Sequence, residues 1–364
     1  TAIGHAALLA NTTGTKNTAV GALALDAQTT GGNNTAVGYF AATSLTTGTS
    51  NTALGQSALE GCVDGTKNVA IGYETGTADW GDANVAVGYR ALKVNTASTN
   101  VAVGKEAMLS NTTGTNNVAV GGQALDANTT ASYNTAIGYN SLTANTTGSN
   151  NTGVGYQSLD ENTTASNNTA VGFNALLTNN GASNTAVGKD CLKLNTTGTQ
   201  LTAIGALALD ANTTASYNTA IGYQTLSNNT SGYDNTAVGN DALLSNTTGA
   251  ENVAVGKQSL DANTTGVKNV AVGKYSLSGN TTGGSNTAVG DQALFTQTGA
   301  DHNTAIGRSV LYANTTGTKQ VAIGNYALYD NTTGNNNTAL GYGTLANNTT
   351  ASNNTAIGYE ALTQ

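Results

Sequence analysis

The chain has 364 residues, of which 9% are charged and 46 are glycine, and it contains no proline, whereas a typical soluble protein is about 25% charged and about 5% proline. Its 12 basic and 20 acidic residues give a formal net charge of −8, which disfavours a nucleic-acid backbone as a partner. No stretch approaches the roughly 20 consecutive apolar residues of a membrane-spanning helix, so membrane insertion is not expected either.

A repeat covers the whole chain. The tetrapeptide Thr/Val-Ala-aliphatic-Gly occurs 22 times, with Gly153 as the one departure from Ala, and the copies are separated by 18 intervals of 17 residues and three of 16. Self-similarity at a fixed period is typical of a solenoid, whose units bury apolar surface only by stacking on their neighbours. The sequence therefore predicts one continuous β-solenoid array of 22 coils over residues 1–364, without caps and with irregular coils near residues 60–84.

The first three positions of each 17-residue repeat, counted from the tetrapeptide, are predicted to form a strand. Position 1 alternates between Thr and Val, and position 3 is always Val, Ile or Leu. Because successive side chains of a strand point to opposite faces, positions 1 and 3 are expected on the buried face and Ala at position 2 on the outer face. A small residue on an outer face indicates close packing there, by a second subunit or by a neighbouring wall of the coil.

The rest of the repeat predicts a bend, a core column and two corners. Position 4 is Gly in all 22 copies, and position 8 is Leu in 19 of them. Asn-Thr-Thr-Gly at positions 11–14 and Asn at position 17 are predicted corners, because Asn and Gly tolerate turning backbone. Asn residues stacked in register can also form a hydrogen-bonded ladder from coil to coil. Proline would remove backbone donors from such a ladder. At the usual strand spacing, 22 coils would form a rod of roughly 105 Å.

The motif Asn-Thr-Ala-Val-Gly followed by x-x-Ala-Leu, seen with small variations at residues 34–38 and 134–142, resembles the head repeats of YadA-like trimeric autotransporter adhesins. It is also similar to repeats of phage tail-fibre-like proteins. The resemblance implies a left-handed β-roll, three chains side by side, and a role in display or adhesion at a surface. The adhesin repeat is shorter than 17 residues, and the sequence shows no heptad stalk.

No catalytic, cofactor or metal site is predicted, and the chain is not expected to be an enzyme. His5 and His302 are the only histidines, and the solenoid spacing would put them roughly 80 Å apart. Cys62 and Cys191 would lie roughly 38 Å apart, beyond the reach of a disulfide. Asp recurs at position 9 without a calcium-binding motif, which indicates a solvated corner.

The irregular segment, residues 60–84, is the strongest local anomaly. It contains the only tryptophan, Trp80, together with five of the 20 acidic residues, and Gly76 replaces the core Leu. One interpretation is a ligand-contacting bulge in which Trp80, Tyr73 and Tyr89 form a stacking platform, because sugars bind exposed aromatic rings. The alternative is a tolerated defect in the solenoid. The aromatic residues at position 5, which include Tyr73 and Tyr89, are alternatively a cover over the Gly bend.

Asn-x-Ser/Thr sequences recur at position 11. They begin at Asn11, Asn111, Asn128 and Asn145 and at ten later positions, so one edge of the array would carry a stripe of glycans if the chain met a glycosylating machinery. The alternative is that Asn and Thr serve the corner itself.

The repeat array without a catalytic constellation predicts a structural or adhesive fibre segment, extracellular or on a virion. Its expected partners are itself, as a homotrimer or an end-to-end filament, and a cell-surface glycan or host receptor. Open strand ladders at both ends also predict a segment of a longer fibre. The alternative function is an ice-binding β-solenoid that uses the Thr columns at positions 12, 13 and 1.

Overall fold

The structure, a computed structural model, describes residues 1–363 and is an all-β solenoid. Each strand pairs in parallel with the strand one repeat away, so one repeat makes one coil. This confirms the predicted fold class and period. The chain divides into two compact units, residues 1–182 and residues 183 onward. Left-handedness, trimerisation and the continuity of the array stay predictions.

In the first unit, neighbouring strands pair in chain order and set identical repeat positions opposite one another. Ala19 lies opposite Ala36, and Val20 lies opposite Val37. The described strands of this unit are β1 (Ala2–Ile3), β2 (Thr18–Val20), β3 (Thr35–Val37), β4 (Thr52–Leu54), β5 (Val69–Ile71), β6 (Val85–Val87), β7 (Val101–Val103), β8 (Val118–Val120), β9 (Thr135–Ile137), β10 (Thr152–Val154) and β11 (Thr169–Val171).

The second unit has the same construction, with Ala203 opposite Ala220 and Ile204 opposite Ile221. Its described strands are β12 (Thr185–Val187), β13 (Thr202–Ile204), β14 (Thr219–Ile221), β15 (Thr236–Val238), β16 (Val253–Val255), β17 (Val270–Val272), β18 (Thr287–Val289), β19 (Thr304–Ile306), β20 (Val321–Ile323), β21 (Thr338–Leu340) and β22 (Thr355–Ile357).

The strands face the opposite way to the prediction. Ala19 at position 2 is 0% exposed inside the coil, whereas Leu54 at position 3 is 45% exposed. The expectation that positions 1 and 3 are buried and position 2 points outward is therefore wrong. The physical reason is that position 7 of the facing wall lies against position 2: the Cys191 thiol donates to the Ala203 carbonyl at 3.2 Å. The space between these walls admits only a small side chain.

The predicted core column at position 8 is confirmed, and its backbone is left-handed. Leu25 and Leu92 are fully buried, with φ of 51° and 47°. This conformation costs an L-residue about 1–2 kcal/mol, which is comparable to what full burial of a Leu side chain contributes. Positions 6 and 16 share the conformation, as at Gln123 and Asn116, with φ of 57° and 58°.

Two buried ladders of Asn side chains confirm the ladder predicted for this residue type. At position 17, Asn51 accepts the N–H of Asn68 at 2.9 Å and donates to the Gly65 carbonyl at 2.8 Å. At position 11, Asn128 donates both to Asn111 Oδ1 at 2.6 Å and to the Ala131 carbonyl of its own coil at 3.1 Å. Each amide thus joins two coils and closes a corner.

Close approach of the coils explains the Gly column at position 4. Gly38 has φ of 144°, and a Cβ there would lie 2.3 Å from the Gly55 carbonyl oxygen of the next coil. The Gly38 N–H donates to Val20 at 2.8 Å, and the Thr35 N–H donates to Asn51 at 2.8 Å. The backbone N–H groups at the start of the strand and at the bend therefore both donate to neighbouring coils. Proline has no N–H to donate, which agrees with its absence from the chain.

Candidate functional site

Trp80 is not a surface platform. Its side chain is 1% exposed, and its indole N–H donates to the Leu92 carbonyl at 3.1 Å. A Cβ on Gly76 would lie 2.5 Å from the Trp80 ring, so the indole occupies the core space that a position 8 Leu fills in other coils. The predicted stacking role of Trp80 is wrong, because the missing Leu leaves a cavity that this side chain fills.

An apolar plug of Leu45, Cys62 and Trp80 interrupts the position 11 amide ladder. Leu45 and Cys62 stand at position 11 itself, Trp80 stands one residue later in its coil, and all three are buried. Burial raises the pKa of the Cys62 thiol to about 12, so it stays protonated. Leu45 and Cys62 both replace the Asn of position 11, and this shared repeat position is the sequence signal that could have identified the plug.

Acidic side chains in the irregular segment replace backbone acceptors that a shortened coil lacks. In a regular coil the position 12 N–H donates to the next coil's carbonyl, as Thr46 does to Val63 at 2.8 Å. Where the next coil is the shortened one, residues 69–84, the Val63 N–H donates instead to the Asp79 Oδ1 of that coil at 2.8 Å. Asn180 does the same for Thr163 at 2.9 Å beside another 16-residue interval. Asp79 is therefore a structural acceptor.

Beside the plug, five side chains form an ion-paired surface cluster: Tyr73, Glu74, Tyr89, Arg90 and Lys93. Glu74 Oε2 lies 2.9 Å from Arg90 Nε and 2.7 Å from Lys93 Nζ. Hydrogen bonds from Lys93, Tyr73 and Arg90 lower the pKa of Glu74 to about 2, and the bond to Glu74 raises the pKa of Tyr73. The cluster ties coil 69–84 to coil 85–100.

The rings of this cluster are exposed but stacked on each other. Tyr73 and Tyr89 are 40% and 39% exposed, with ring centroids 5.7 Å apart and planes 9° from parallel. The Arg90 guanidinium lies over Tyr89, 4.9 Å from the ring centroid. These contacts occupy ring surface that a sugar would otherwise stack on. Ligand contact by Tyr73 and Tyr89 stays a prediction.

The predicted glycan stripe does not fit the folded coils. Asn111, Asn128 and Asn145 are fully buried, and their amides are bonded within the ladder. Asn11 in the first coil is exposed. A glycan on a buried ladder Asn would displace the next coil, so the position 11 sequence serves the corner.

A repeated apolar feature left open to solvent is the strand face, defined here as the outward side chains of positions 1 and 3. Position 3 is aliphatic in all 22 copies, position 1 is Thr or Val, and neither carries a charge. Ile137 and Ile204 at position 3 are 41% and 40% exposed. Nine of the 12 basic residues lie in the two columns that border this face, positions 5 and 16: Lys16, Lys67, Lys105, Lys189, Lys257, Lys268, Lys274, Arg308 and Lys319.

The described residues hold no group of three or more His, Cys, Asp or Glu side chains arranged to bind a metal. Within residues 1–363 there is also no helix long and apolar enough to cross a membrane. Comparison of the sequence with protein-family models and with curated proteins finds no match.

Proposed function

We propose that this chain is a non-catalytic structural or adhesive fibre segment at a cell surface or on a virion, and that it assembles with copies of itself through the strand face. The single observation that carries the proposal is this face: an uncharged aliphatic column that repeats from coil to coil within each unit, with side chains that are half-exposed or exposed. Contiguous exposed apolar surface of this extent is typical of an interaction site.

The surroundings of the face support assembly with protein. Position 16 lies two residues before each strand and position 5 two residues after it, as Glu251 and Lys257 do around β16. Protein interfaces commonly have such an apolar centre and a charged, solvated rim. Covering one half-exposed aliphatic side chain contributes about 1 kcal/mol, so many coils together supply more than association costs.

The proposal is tested by measuring the oligomeric state of the full chain and of variants that place a charge on the strand face. We expect the full chain to sediment as a stable oligomer, and Val103→Lys together with Val120→Lys to weaken assembly at least about tenfold, because each lysine leaves an uncompensated charge in the interface. The matched control places lysine at position 13 of the same region, Thr113→Lys, which leaves assembly unchanged. A chain that is monomeric at high concentration refutes the proposal.

One observation favours ice binding as a second candidate. Thr at position 1, present in 15 copies, points outward from the sheet, as an ice-binding array requires. At position 12 the hydroxyls are already bonded to the next coil, as Thr247 is to Thr264 at 3.0 Å. Thermal hysteresis from a monomeric chain, abolished by Thr219→Lys but not by a lysine at position 13, would support this function over self-assembly.

A further inference from the structure

We propose that Tyr312 and Tyr329 are a site of oxidative cross-linking, at which a haem peroxidase and hydrogen peroxide join the two phenol rings as dityrosine. The linkage would staple two successive coils of the second unit. It is a modification within one chain and does not depend on self-assembly.

Position 9 of the repeat carries an aromatic column in one place only. Position 9 holds Phe295, Tyr312 and Tyr329 in three successive coils, while other coils carry Asp, Glu, Ser, Thr, Lys, Leu or Ala there. The ring centroids of Phe295 and Tyr312 are 5.2 Å apart with planes at 11°, and those of Tyr312 and Tyr329 are 5.2 Å apart with planes at 10°. Two phenols therefore stand parallel and in contact.

The backbone beside both rings is fixed by hydrogen bonds between the coils. The Ala313 N–H donates to the Tyr329 carbonyl at 3.0 Å, and the Leu311 N–H donates to Ala327 at 3.1 Å. Both tyrosine side chains are half-exposed, and position 9 lies outside the strand face. Reactants held in contact by a rigid scaffold react as an intramolecular pair, with a large advantage over groups that must meet by diffusion.

The chemistry balances with one equivalent of peroxide. The peroxidase takes one electron from each phenol, and each phenol releases its proton, so hydrogen peroxide is reduced to two waters. The two phenoxyl radicals combine by a bond between the ring carbons ortho to oxygen. Each of those carbons then loses its proton, and each oxygen regains one. The product has two hydrogens fewer than the two tyrosines.

Three other pairs of stacked tyrosines share the geometry with slightly longer separations. Their centroid distances are 5.7, 5.8 and 5.5 Å, for Tyr73–Tyr89, Tyr139–Tyr156 and Tyr342–Tyr359. By contrast, Tyr133 and Tyr217 are 62% and 55% exposed, and neither takes part in a ring contact among the described residues. The proposal therefore predicts which tyrosines couple within a chain, and exposure alone would predict a different set.

Trypsin makes the test direct, because cleavage after Arg308 and Lys319 places Tyr312 in peptide 309–319 and Tyr329 in peptide 320–364. Full-length protein is treated with a haem peroxidase and hydrogen peroxide, digested and analysed by mass spectrometry. We expect peptide 309–319 joined to 320–364, two hydrogens lighter than their sum. When 15N-labelled and unlabelled chains are refolded together, same-isotope links should exceed mixed links by at least about tenfold.

The matched control is Tyr312→Phe, which keeps the stack, as Phe295 shows, and should abolish this link while leaving the other stacked pairs reactive. If the variant fails to fold, the isotope result on the unaltered chain decides alone. The proposal is overturned if Tyr133 and Tyr217 are consumed without the 312–329 link, if mixed-isotope links predominate, or if the chain unfolded in guanidinium forms the link equally well.

Discussion

Trp80 fills the core space that Gly76 leaves empty, and substitutions at these two residues give the sharpest test of how this core is packed. Trp80→Ala removes a fully buried indole and the bond from its N–H to the Leu92 carbonyl. Truncation of a buried Trp costs about 3–5 kcal/mol, and this change also removes one of two donors from the Leu92 carbonyl, which keeps only the Asn95 N–H at 3.4 Å. Gly76→Leu alone overpacks the site, because its Cβ would lie 2.5 Å from the ring, and costs about 1–3 kcal/mol.

The double variant Gly76→Leu/Trp80→Ala should recover much of the loss. Gly76 has φ of 70°, and position 8 Leu residues elsewhere adopt the same left-handed conformation, so a Leu fits once the indole is gone. We expect a favourable coupling energy of about 2 kcal/mol or more between the two sites. Because a long repeat array does not unfold in one step, the assay is hydrogen exchange of amides in the local coils, such as those of Leu59 and Thr77.

Additive destabilisation in the double variant would refute the reasoning, since it would mean that Trp80 does not occupy the position 8 space. The matched control is Leu142→Ala, in a coil with a regular core. It should cost about 2–5 kcal/mol and show no coupling to Gly76→Leu, because the two sites share no contacts.

Three further predictions concern the ladder, the small-residue contact and the ion cluster. Gly153→Ala should destabilise its coil by about 1–3 kcal/mol, since the new Cβ would lie 2.6 Å from Ser141 Oγ. In thermal unfolding, adding Ser141→Ala to this variant should restore most of the lost stability. Equal destabilisation of the single and the double variant would contradict this contact. Asn145→Ala removes hydrogen bonds to buried partners in three coils, so it should lower the free energy of local opening by about 2–4 kcal/mol, measured as faster hydrogen exchange of nearby amides. Unchanged protection of those amides would show that the ladder does not contribute to stability. The folded-state pKa of Glu74 is lowered to about 2, so its contribution is complete above its unfolded value near 4.3 and is lost as the pH falls from about 5 to 2. Lys93→Gln should raise that pKa in an NMR titration, and an unshifted titration would contradict the ion pair.

Periodicity predicted much of the fold because every coil repeats the same local rule. Gly at position 4, Leu at position 8 and the Asn columns each recur at one spacing, and a residue that must stack on its own copies can be recognised from that recurrence alone. The structure confirmed the coil, the core Leu column and the Asn ladders on these grounds.

The candidate site was less predictable because it depends on contacts across the coil. The sequence left Trp80 as either an exposed stacking platform or part of a tolerated defect, because its environment is set by Gly76 and by the Leu92 carbonyl of the next coil. The acids beside it accept backbone N–H groups that a one-residue deletion had left without carbonyls, as at Asp79. Neither relation has a fixed signature in a sequence.

The sequence by itself determined that this protein is a β-solenoid with one coil per repeat, because the period, the invariant Gly and the stacked Asn leave few other ways to satisfy the backbone. Only the tertiary structure decided which way the strand faces. Alternation gives two faces but does not say which is inside, and the answer came from the short distance between the walls: the Cys191 thiol at position 7 lies 3.2 Å from the Ala203 carbonyl at position 2, and Ala203 is fully buried. That distance turns a supposed core column into the exposed aliphatic face through which we propose that the protein assembles.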